Sequence, residues 1–562
     1  MSQNSGTRPS VVLCTLNARY IHASLGLRYL LANLDAHGGA GLRAKTQLCE
    51  YTVSRAPQEV LADLLRVLGD PSPGVPGPAA IVGFGVYIWN VTATTQLLRL
   101  LKAVRPELRV VLGGPEVSHE IEGQEIAELA DHVITGWGEV SFARLCRALL
   151  NDVLPQPKII QGVQPDLAQL ELPYAHYTDE DLAHRLLYVE ASRGCPFKCE
   201  FCLSSLDKTA WAFDLTRVLS ALESLYQRGA RHFKFVDRTF NLRLDNALRI
   251  LQFFLDRQGG PDNSERLSLH FELIPDRLDR ALRERLAEFA PGVLQLEIGV
   301  QSFNPQVQRN ISRRQDDVAT DFNLRWLLAH SHAHLHADLV FGLPGESVES
   351  FAAGFDRLLA IGPQEIQLGI LKRLRGTPIA RHTQTHGMVY AQEPPYQVIQ
   401  TKLIPSVWVQ AFIRFARYWD LVANSGRFAG ALSLLFQTPA MSTPPESGWS
   451  ADELALLPDA QGSSAFWRFF ALSGWLWQKL GRTRHLTPEQ LVDALFEYLS
   501  RSTSPQVVRE VLLDDYVKSG ARGNPVALRG WLARADHCGR TPGSALRARQ
   551  QRHSAAEQRQ TD

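Results

Sequence analysis

Residues 191–202 read ASRGCPFKCEFC and place Cys195, Cys199 and Cys202, three of the chain's seven cysteines, at the spacing C-x3-C-x2-C. Three thiolates can hold three irons of a cubane 4Fe-4S cluster and leave the fourth iron without a protein ligand. A zinc knuckle and a disulfide framework are the alternatives. Zinc usually takes four ligands from paired spacings, and a disulfide framework is typical of shorter chains with more cysteines. The spacing therefore predicts a 4Fe-4S cluster with an open iron.

Phe201, directly before the third cysteine, completes a pattern that closely resembles the cysteine loop of the radical SAM superfamily. The resemblance implies that the open iron chelates the amino and carboxylate groups of S-adenosylmethionine. It implies that a reduced cluster cleaves this cofactor to a radical that takes hydrogen from an unactivated carbon. It also implies a one-electron reductant, such as flavodoxin or ferredoxin, as a partner.

Length and charge limit the number of domains and the classes of binding partner that the chain can have. The chain has 562 residues, which is too long for one core, so several domains are expected. Lys and Arg number 59 against 58 for Asp and Glu, so no global field favours nucleic acid, anionic lipid or acidic substrates. The first ten residues carry no apolar signal segment, and no apolar run is long enough to span a membrane. We expect a soluble cytoplasmic protein, in which the scattered Cys14, Cys49, Cys146 and Cys538 serve as packing residues.

Residues 1–150 alternate short apolar runs with helical patterns, which predicts a doubly wound α/β domain with a parallel sheet. The strands run into Gly-rich or polar turns at 17–26, 85–90, 113–117 and 136–139, and ligands bind at such strand ends. Order and content of these turns resemble the cobalamin-binding domain that precedes many radical SAM domains. A flavodoxin-like domain, with glycines serving only tight turns, is the alternative. No G-x-G-x-x-G follows the first strand, which argues against a dinucleotide site.

The resemblance implies that residues in these turns contact cobalamin. The candidates are Asn17, Tyr20, Gly85, Trp89, Gly113, Gly114, Pro115, Glu116, Gly136, Gly138 and Glu139. Cobalamin domains that supply a histidine ligand carry D-x-H-x-x-G, whereas the residue two places before His22 is Tyr20 and the next glycine is Gly26. We therefore expect His22 to be a turn or core histidine, with cobalt ligation as the alternative.

Residues 151–185 contain several prolines and are predicted to be a linker. Strand-like runs then recur six times across residues 186–386, which predicts a partial (β/α)6 barrel with polar residues at the carboxyl ends of its strands. The resemblance implies that Phe201, Asp237, Arg238, Glu297 and Gln301 bind or surround S-adenosylmethionine. For Asp237 and Arg238 the alternative is a local salt bridge. For Glu297 and Gln301 it is a strand with one solvent-exposed edge. The histidines at 330, 332, 334 and 336 are expected to bond carbonyl groups rather than a second metal.

Residues 387–538 change to aromatic helical patterns and are predicted to form a helical domain, followed by a disordered tail at 539–562. Trp408, Phe412, Phe415 and Trp419 form one helical stripe, which is expected to pack into a core, with a cover over cofactor or substrate as the alternative. Thr487 to Gln490 form a predicted capping box.

The domain order resembles that of cobalamin-dependent radical SAM enzymes: a Rossmann-like cobalamin domain, a radical SAM barrel and a helical domain of unknown function. The resemblance implies cleavage of S-adenosylmethionine and methyl transfer through methylcobalamin. Cobalamin-assisted cyclisation or rearrangement is the first alternative, and a non-catalytic iron-sulfur module that binds RNA or senses redox state is the second. The sequence does not name the catalytic residues, the oligomeric state or the substrate, which is a small molecule, peptide, lipid or tRNA.

Overall fold

The computed structural model describes residues 8–69, 80–153, 156–207, 209–259, 267–437 and 464–532. Cys538 and the predicted tail at 539–562 lie outside these ranges. Two parallel six-stranded sheets and a set of C-terminal helices make up the described fold. The predicted fold class is confirmed.

The first sheet has the strand order β2-β1-β3-β4-β5-β6, and all its pairs are parallel. The chain leaves β1 in one direction to β2 and in the other to β3, so the topological switch point lies between β1 and β3. Helices cover both faces, and all seven residues of β1 are buried, which explains its continuous apolar run. The strands are β1 (Val11–Asn17), β2 (Thr46–Thr52), β3 (Ile81–Gly85), β4 (Arg109–Gly113), β5 (His132–Thr135) and β6 (Ile159–Gln161). The helices are α1 (Leu25–Gly38), α2 (Pro57–Leu68), α3 (Val91–Val104), α4 (Glu125–Leu129) and α5 (Glu139–Leu150).

The segment predicted as a linker does more than connect. Its β6 pairs with β5 at the edge of the first sheet. Helix α6 (Asp179–His184) follows, with Thr178 and Asp181 forming a capping box. Arg28 of α1 bonds both Glu50 of β2 and Asp181 at 2.8 Å, and all three side chains are buried. These ion pairs fix the connecting segment to the first sheet.

The second sheet has the order β14-β13-β12-β11-β10-β7, with β7 and β14 at its edges, as in a partial barrel. Buried and partly exposed residues alternate along β12, because one face lies under helices and the other faces the lumen. Its strands are β7 (Leu187–Val189), β10 (His232–Phe235), β11 (Ser268–Leu273), β12 (Leu294–Gln301), β13 (His334–Phe341) and β14 (Glu365–Ile370). The short pair β8 (Ser192–Arg193) and β9 (Trp211–Ala212) brackets the cysteine loop. The helices are α7 (Leu215–Gln227), α8 (Leu244–Leu255), α9 (Arg280–Ala287), α10 (Pro305–Asn310), α11 (Asp317–His330) and α12 (Val348–Ile361).

After β14 a small hairpin, β15 (Val389–Tyr390) and β16 (Val398–Gln400), leads to the C-terminal helices. These are α13 (Ser406–Val422), α14 (Ala429–Gln437), α15 (Ala465–Leu480), α16 (Pro488–Leu499) and α17 (Pro505–Lys518). The predicted aromatic stripe lies on α13 and is buried; the Phe412 ring stacks on Phe341 of β13 at 3.9 Å between centroids. The stripe is therefore core on the outer face of the barrel sheet. The capping box at Thr487 and Gln490 is confirmed.

Candidate active site between the two sheets

A cavity of about 620 Å³ lies between the carboxyl ends of β3, β4 and β5 and the cysteine loop of the barrel. Eight of the predicted site residues line it: Gly85, Gly113, Gly114, Pro115, Gly136, Gly138, Glu139 and Arg238. The barrel contributes residues on both sides of the cysteines, including Ser192 and Arg193 before them and Leu203, Ser204 and Leu206 after them. The glycine turns and the cysteine loop, which are far apart in sequence, thus share one cavity.

The glycines shape this cavity through their backbone. Gly114 has φ 113° and ψ 169°, a conformation almost restricted to glycine, and a Cβ atom there would lie 2.4 Å from the carbonyl oxygen of Val86. Gly136 also has positive φ, and a Cβ atom there would meet no described heavy atom within 4 Å. The floor is apolar, lined by Leu27, Leu30, Val111, Ile134 and Phe142. An apolar floor under backbone-lined turns fits a broad, flat ligand such as cobalamin.

Arg193 joins the two domains at the cavity wall. Its guanidinium donates to Glu139 of the first domain at 2.6 Å and to Glu190 of the barrel at 2.9 Å. The ring of Trp137 lies 4.9 Å from the guanidinium carbon. Burial alone would lower the pKa of Arg193, but the two carboxylates outweigh burial and raise it. Arg193 therefore holds Glu139 and links the two sheets at the edge of the cavity.

Four predicted contacts with cobalamin have other partners in the structure. Asn17 donates to the backbone oxygen of His22 at 2.8 Å, and the Tyr20 hydroxyl donates to Glu180 at 2.6 Å. Trp89 stacks on Tyr87 with 4.4 Å between ring centroids.

Glu116 is the fourth of these residues. It is only 5% exposed and accepts from Tyr396 at 2.6 Å and from Arg375 at 3.0 Å. These side chains shape the turns from outside, while the backbone of the turns borders the cavity.

His22 contacts the barrel. The turn after β1 forms a bridge with Leu186, just before the edge strand β7, and the Tyr188 hydroxyl lies 2.7 Å from Nδ1 of His22. Burial lowers the pKa of His22. These contacts are those of a turn histidine at the seam between the sheets.

The cysteine loop is anchored through Glu200, which is 3% exposed. Its backbone donates to Ile311 at 3.1 Å and accepts from Ile379 at 3.0 Å, while its carboxylate bonds Ser312, Arg381 and His382. Phe201 packs against an apolar cluster that includes Val307, Ile311, Leu343 and Leu371. The loop is thus held by backbone, ionic and apolar contacts around its cysteines.

The three thiols are close enough to affect one another. Burial, followed by repulsion from Cys202 and Cys199, raises the pKa of Cys195 to about 11, and burial raises the pKa of Cys199. Among the described residues, no group of three or more His, Cys, Asp or Glu side chains has the geometry of a site for a single metal ion. In a cubane each thiolate binds a different iron, so the thiols need not converge on one point. Arg313 donates to the Cys199 sulfur at 3.6 Å.

The lumen of the barrel is lined by charged side chains. Glu297 accepts from His270 at 2.8 Å and lies 3.5 Å from Lys234. Burial alone would raise the pKa of Glu297. The hydrogen bond from His270 and the charge of Lys234 outweigh burial, so the pKa of Glu297 is lowered. Arg238 pairs with Glu272 at 3.3 Å. Asp338 Oδ1 is buried without a hydrogen-bond partner among the described residues, and burial raises the pKa of this carboxyl. Such a group fits a polar ligand that brings its own donor.

The remaining predictions for the barrel have local explanations. Asp237 is buried and accepts from the backbone of Ala191 at 3.0 Å and from the Ser192 hydroxyl at 2.6 Å, so it ties two strand ends together. Gln301 has φ 72° beside a register shift in β12, and its amide fills the space above Gly299. Both positions border the lumen or its rim without lining the cavity.

The four histidines do not share one strand. His330 ends α11 and stacks on Trp326, whereas His334 bonds Glu365 at 2.9 Å. His336 faces Asp338 at 3.8 Å.

Sequence reasoning missed Lys234, His270, Glu272, Arg313 and Asp338. A signal was present for four of them, because a charged or titratable residue inside an otherwise apolar strand run marks the lumen face.

Two family models match the chain. The B12 binding domain matches residues 11–146, and the radical SAM superfamily matches residues 189–358. The chain is a cobalamin-binding-domain radical SAM protein. A curated relative, the cobalamin-dependent radical SAM methyltransferase TokK of Streptomyces tokunonensis, is 23% identical over 382 residues, which cover 59% of this chain and 55% of TokK. This radical SAM chain therefore spans about half the length of that relative.

Two solved structures share the fold. The cobalamin-dependent S-adenosylmethionine radical enzyme OxsB, with aqua-cobalamin and S-adenosylmethionine bound, has a TM-score of 0.58 and 13% identity, and the match covers 97% of this chain and 84% of OxsB. The methyltransferase TsrM of Kitasatospora setae, with tryptophan and a SAM analogue bound, has a TM-score of 0.53 and 16% identity, over 84% of this chain and 99% of TsrM. In the described part of this radical SAM chain, no helix has the length and apolarity needed to cross a membrane.

Proposed function

We propose that this protein is a cobalamin-dependent radical SAM enzyme that reductively cleaves S-adenosylmethionine and methylates an unactivated carbon of its substrate. The observation that carries the proposal is the single cavity bordered by the glycine turns of the first sheet and by residues on both sides of the three cysteines. A substrate in this cavity would lie between cobalamin over the glycine turns and the cluster in the cysteine loop. An isolated cobalamin carrier or an isolated cluster protein would not need this arrangement.

The residues present fit the three cofactors. Cys195, Cys199 and Cys202 would hold the 4Fe-4S cluster, and the cavity over β3, β4 and β5 would hold cobalamin. S-adenosylmethionine would lie in the lumen of the barrel, where Asp338 and the Arg238–Glu272 pair offer polar and charged contacts. When bound, the cluster supplies an electron for cleavage of S-adenosylmethionine and cobalamin supplies the methyl group.

The chain's own residues position these sites and limit water. Arg193, with Glu139 and Glu190, closes the wall between the domains by charge-assisted hydrogen bonds. Asp237 holds the end of β10 against the start of the cysteine segment through Ala191 and Ser192. Water must be excluded because a carbon radical has to react with the methyl donor before it reacts with other molecules.

Methyl transfer is favoured by the relatives, since TokK and TsrM are both named methyltransferases. The tryptophan in the TsrM structure belongs to that protein. The substrate of the present chain is proposed only as a molecule with an unactivated carbon that reaches the cavity. Ring closure or rearrangement without methyl transfer is the alternative reaction.

The test uses the full chain loaded with cluster and cobalamin, a reductant, and S-adenosylmethionine with a deuterated methyl group. A metabolite extract from a deletion strain serves as the substrate source. We expect a product that carries the intact deuterated methyl group, with 5′-deoxyadenosine and S-adenosylhomocysteine formed in near-equal amounts. The matched control is Cys199→Ala, which should form neither the product nor 5′-deoxyadenosine. A cyclised or rearranged product without S-adenosylhomocysteine would contradict methyl transfer.

A further inference from the structure

The outer face of the cysteine loop is strongly basic, although the chain as a whole is nearly neutral. Four described segments meet there: residues 195–202, 305–315, 378–388 and 400–405. Together they contain six Lys or Arg residues and one acidic residue, Glu200. Five of these cations are exposed, and we call them the basic patch: Lys198, Arg309, Arg314, Arg381 and Lys402.

Backbone hydrogen bonds join these segments into one surface. The amide of Glu200 donates to Ile311 at 3.1 Å, and the amide of Ile379 donates to Glu200 at 3.0 Å. The amide of Lys402 donates to His386 at 2.7 Å, and the ring centroid of His386 lies 5.5 Å from that of His382. The basic patch therefore lies on the cysteine loop and on segments joined to it directly or through one neighbour, and is not scattered over the barrel.

The single acidic residue of these segments pairs with one of the five exposed cations, Arg381, and leaves the other four to set the charge of the surface. Glu200 is 3% exposed, and its carboxylate is engaged by Ser312, Arg381 and His382. Next to Lys402, the side chain of Leu403 is 50% exposed, and Val389 of the neighbouring hairpin is 44% exposed. An apolar spot beside a charged rim is the composition of a transient protein interface.

We propose that the basic patch docks an acidic one-electron donor protein of the flavodoxin or ferredoxin class. This inference rests on the proposed function, since only a redox cluster needs such a donor. Leu203, Ser204, Leu206 and Asp207, which follow the cysteines, line the cavity, so the basic patch is the side left for a donor. Electron transfer slows steeply with distance, and Glu200 places exposed Arg381 next to the loop between Cys199 and Cys202.

The surface fits an acidic protein better than a nucleic acid. Proteins that bind single-stranded nucleic acid usually add exposed aromatic rings on which bases stack. The four segments contain two aromatic residues, Phe197 and Phe201. Arg277 lies over the Phe197 ring, and Phe201 packs against the apolar cluster beneath the loop. Both rings therefore already contact other side chains of the protein.

The test compares two triple charge reversals in the full, cofactor-loaded chain. The patch variant carries Arg309→Glu, Arg314→Glu and Lys402→Glu. The control variant carries Arg144→Glu, Arg249→Glu and Arg522→Glu, which are exposed positions elsewhere and change the net charge equally. At low salt, we expect the patch variant to be reduced by a bacterial flavodoxin hydroquinone about 10- to 100-fold more slowly than the wild type, with a flatter dependence on ionic strength. The control variant should stay within about threefold.

Two further measurements separate the outcomes. Dithionite should reduce the cluster and drive cleavage of S-adenosylmethionine equally in all three proteins; failure of that cleavage in the wild type would contradict the proposed function. Titration calorimetry of flavodoxin binding to each full chain measures docking affinity independently of turnover. Equal flavodoxin binding and reduction rates in the wild type and the patch variant would overturn the inference. Loss of binding to bulk tRNA in the patch variant, with flavodoxin rates intact, would assign the patch to nucleic acid instead.

Discussion

The two parallel sheets prepare their ligand sites by opposite means. The first sheet ends in glycines and apolar side chains, so the space over β3, β4 and β5 is bordered by backbone. The second sheet carries Lys234, Glu272, Glu297 and Asp338 on the lumen face of its strands, so its space is bordered by charge. The difference indicates that the first sheet accommodates a large cofactor by shape, whereas the barrel holds small charged groups by specific polar contacts.

The largest expected effect comes from the cysteines, and it tests whether the two sites are independent. Cys195→Ala, Cys199→Ala or Cys202→Ala should each remove the cluster, because three thiolates are the minimum that leaves one iron open. Anaerobic iron and sulfide analysis should fall from about four irons per chain to near zero. Cobalamin binding should persist, since the cysteines do not line the cavity floor.

Cys14→Ala is the matched control, because Cys14 is buried in β1 of the other sheet. It should retain the full iron content. A variant with all three loop cysteines replaced that still held about four irons would refute the cluster assignment.

The second prediction breaks the backbone-shaped site. Gly114→Ala should place a methyl group 2.4 Å from the Val86 carbonyl oxygen in a conformation that alanine rarely adopts. We expect a loss of stability on the order of 3 kcal/mol and at least about tenfold weaker cobalamin binding, because the cavity wall must shift. Thermal unfolding and a spectroscopic cobalamin titration measure both.

Gly123→Ala is its control. Gly123 also has positive φ (73°), but a Cβ atom there meets no described atom within 4 Å, and the residue does not line the cavity. It should cost about 1 kcal/mol and leave cobalamin binding unchanged. Equal losses of affinity in the two variants would mean that the turn at 113–117 does not shape the cofactor site.

The third prediction concerns the charged sheet and pH. Burial raises the pKa of Asp237 to about 7, so between about pH 4 and pH 7 the folded chain binds more protons than the unfolded chain. Stability should therefore fall as pH rises through this window, by up to about 1.4 kcal/mol per pH unit. Asp237→Asn removes this titration, so its unfolding midpoint should drop less than that of the wild type between pH 5 and pH 8. Exposed Asp245→Asn should follow the wild type, and identical pH profiles for all three would exclude a raised pKa at Asp237.

The sequence predicted what depends on local backbone and missed what depends on distant partners. Glycine turns are a local requirement, and Gly85, Gly113, Gly114, Gly136 and Gly138, which follow strands, line the cavity. That they contact cobalamin stays a prediction. The β2 and β6 strands were not predicted, because both lie at edges of the first sheet and carry polar or exposed residues; Ile159 of β6 is exposed.

Side-chain roles in the same turns were harder to predict. Glu116 lies in a glycine turn, but its partner Arg375 is 259 residues away in sequence, and no local pattern indicates such a pair. Asp338 shows the converse case. Its carboxyl lies within an apolar strand run, a pattern that does indicate the lumen. That Oδ1 of this carboxyl has no hydrogen-bond partner among the described residues becomes visible only in three dimensions.

The smallest expected effect tests whether Glu116 stabilises the contact between the two domains or contacts the cofactor. Glu116→Gln keeps the shape of the side chain but removes the charge that Arg375 and Tyr396 bond across the domains. If Glu116 supports the interface, stability should fall by about 1–2 kcal/mol while cobalamin affinity changes by less than about twofold. Glu120→Gln is the control, because Glu120 bonds Arg373 at 3.0 Å in a more exposed pair and should cost about 1 kcal/mol or less. A tenfold loss of cobalamin affinity in Glu116→Gln without a change in thermal stability would instead place its carboxylate at the cofactor, and a side chain would then join the backbone in forming the first site.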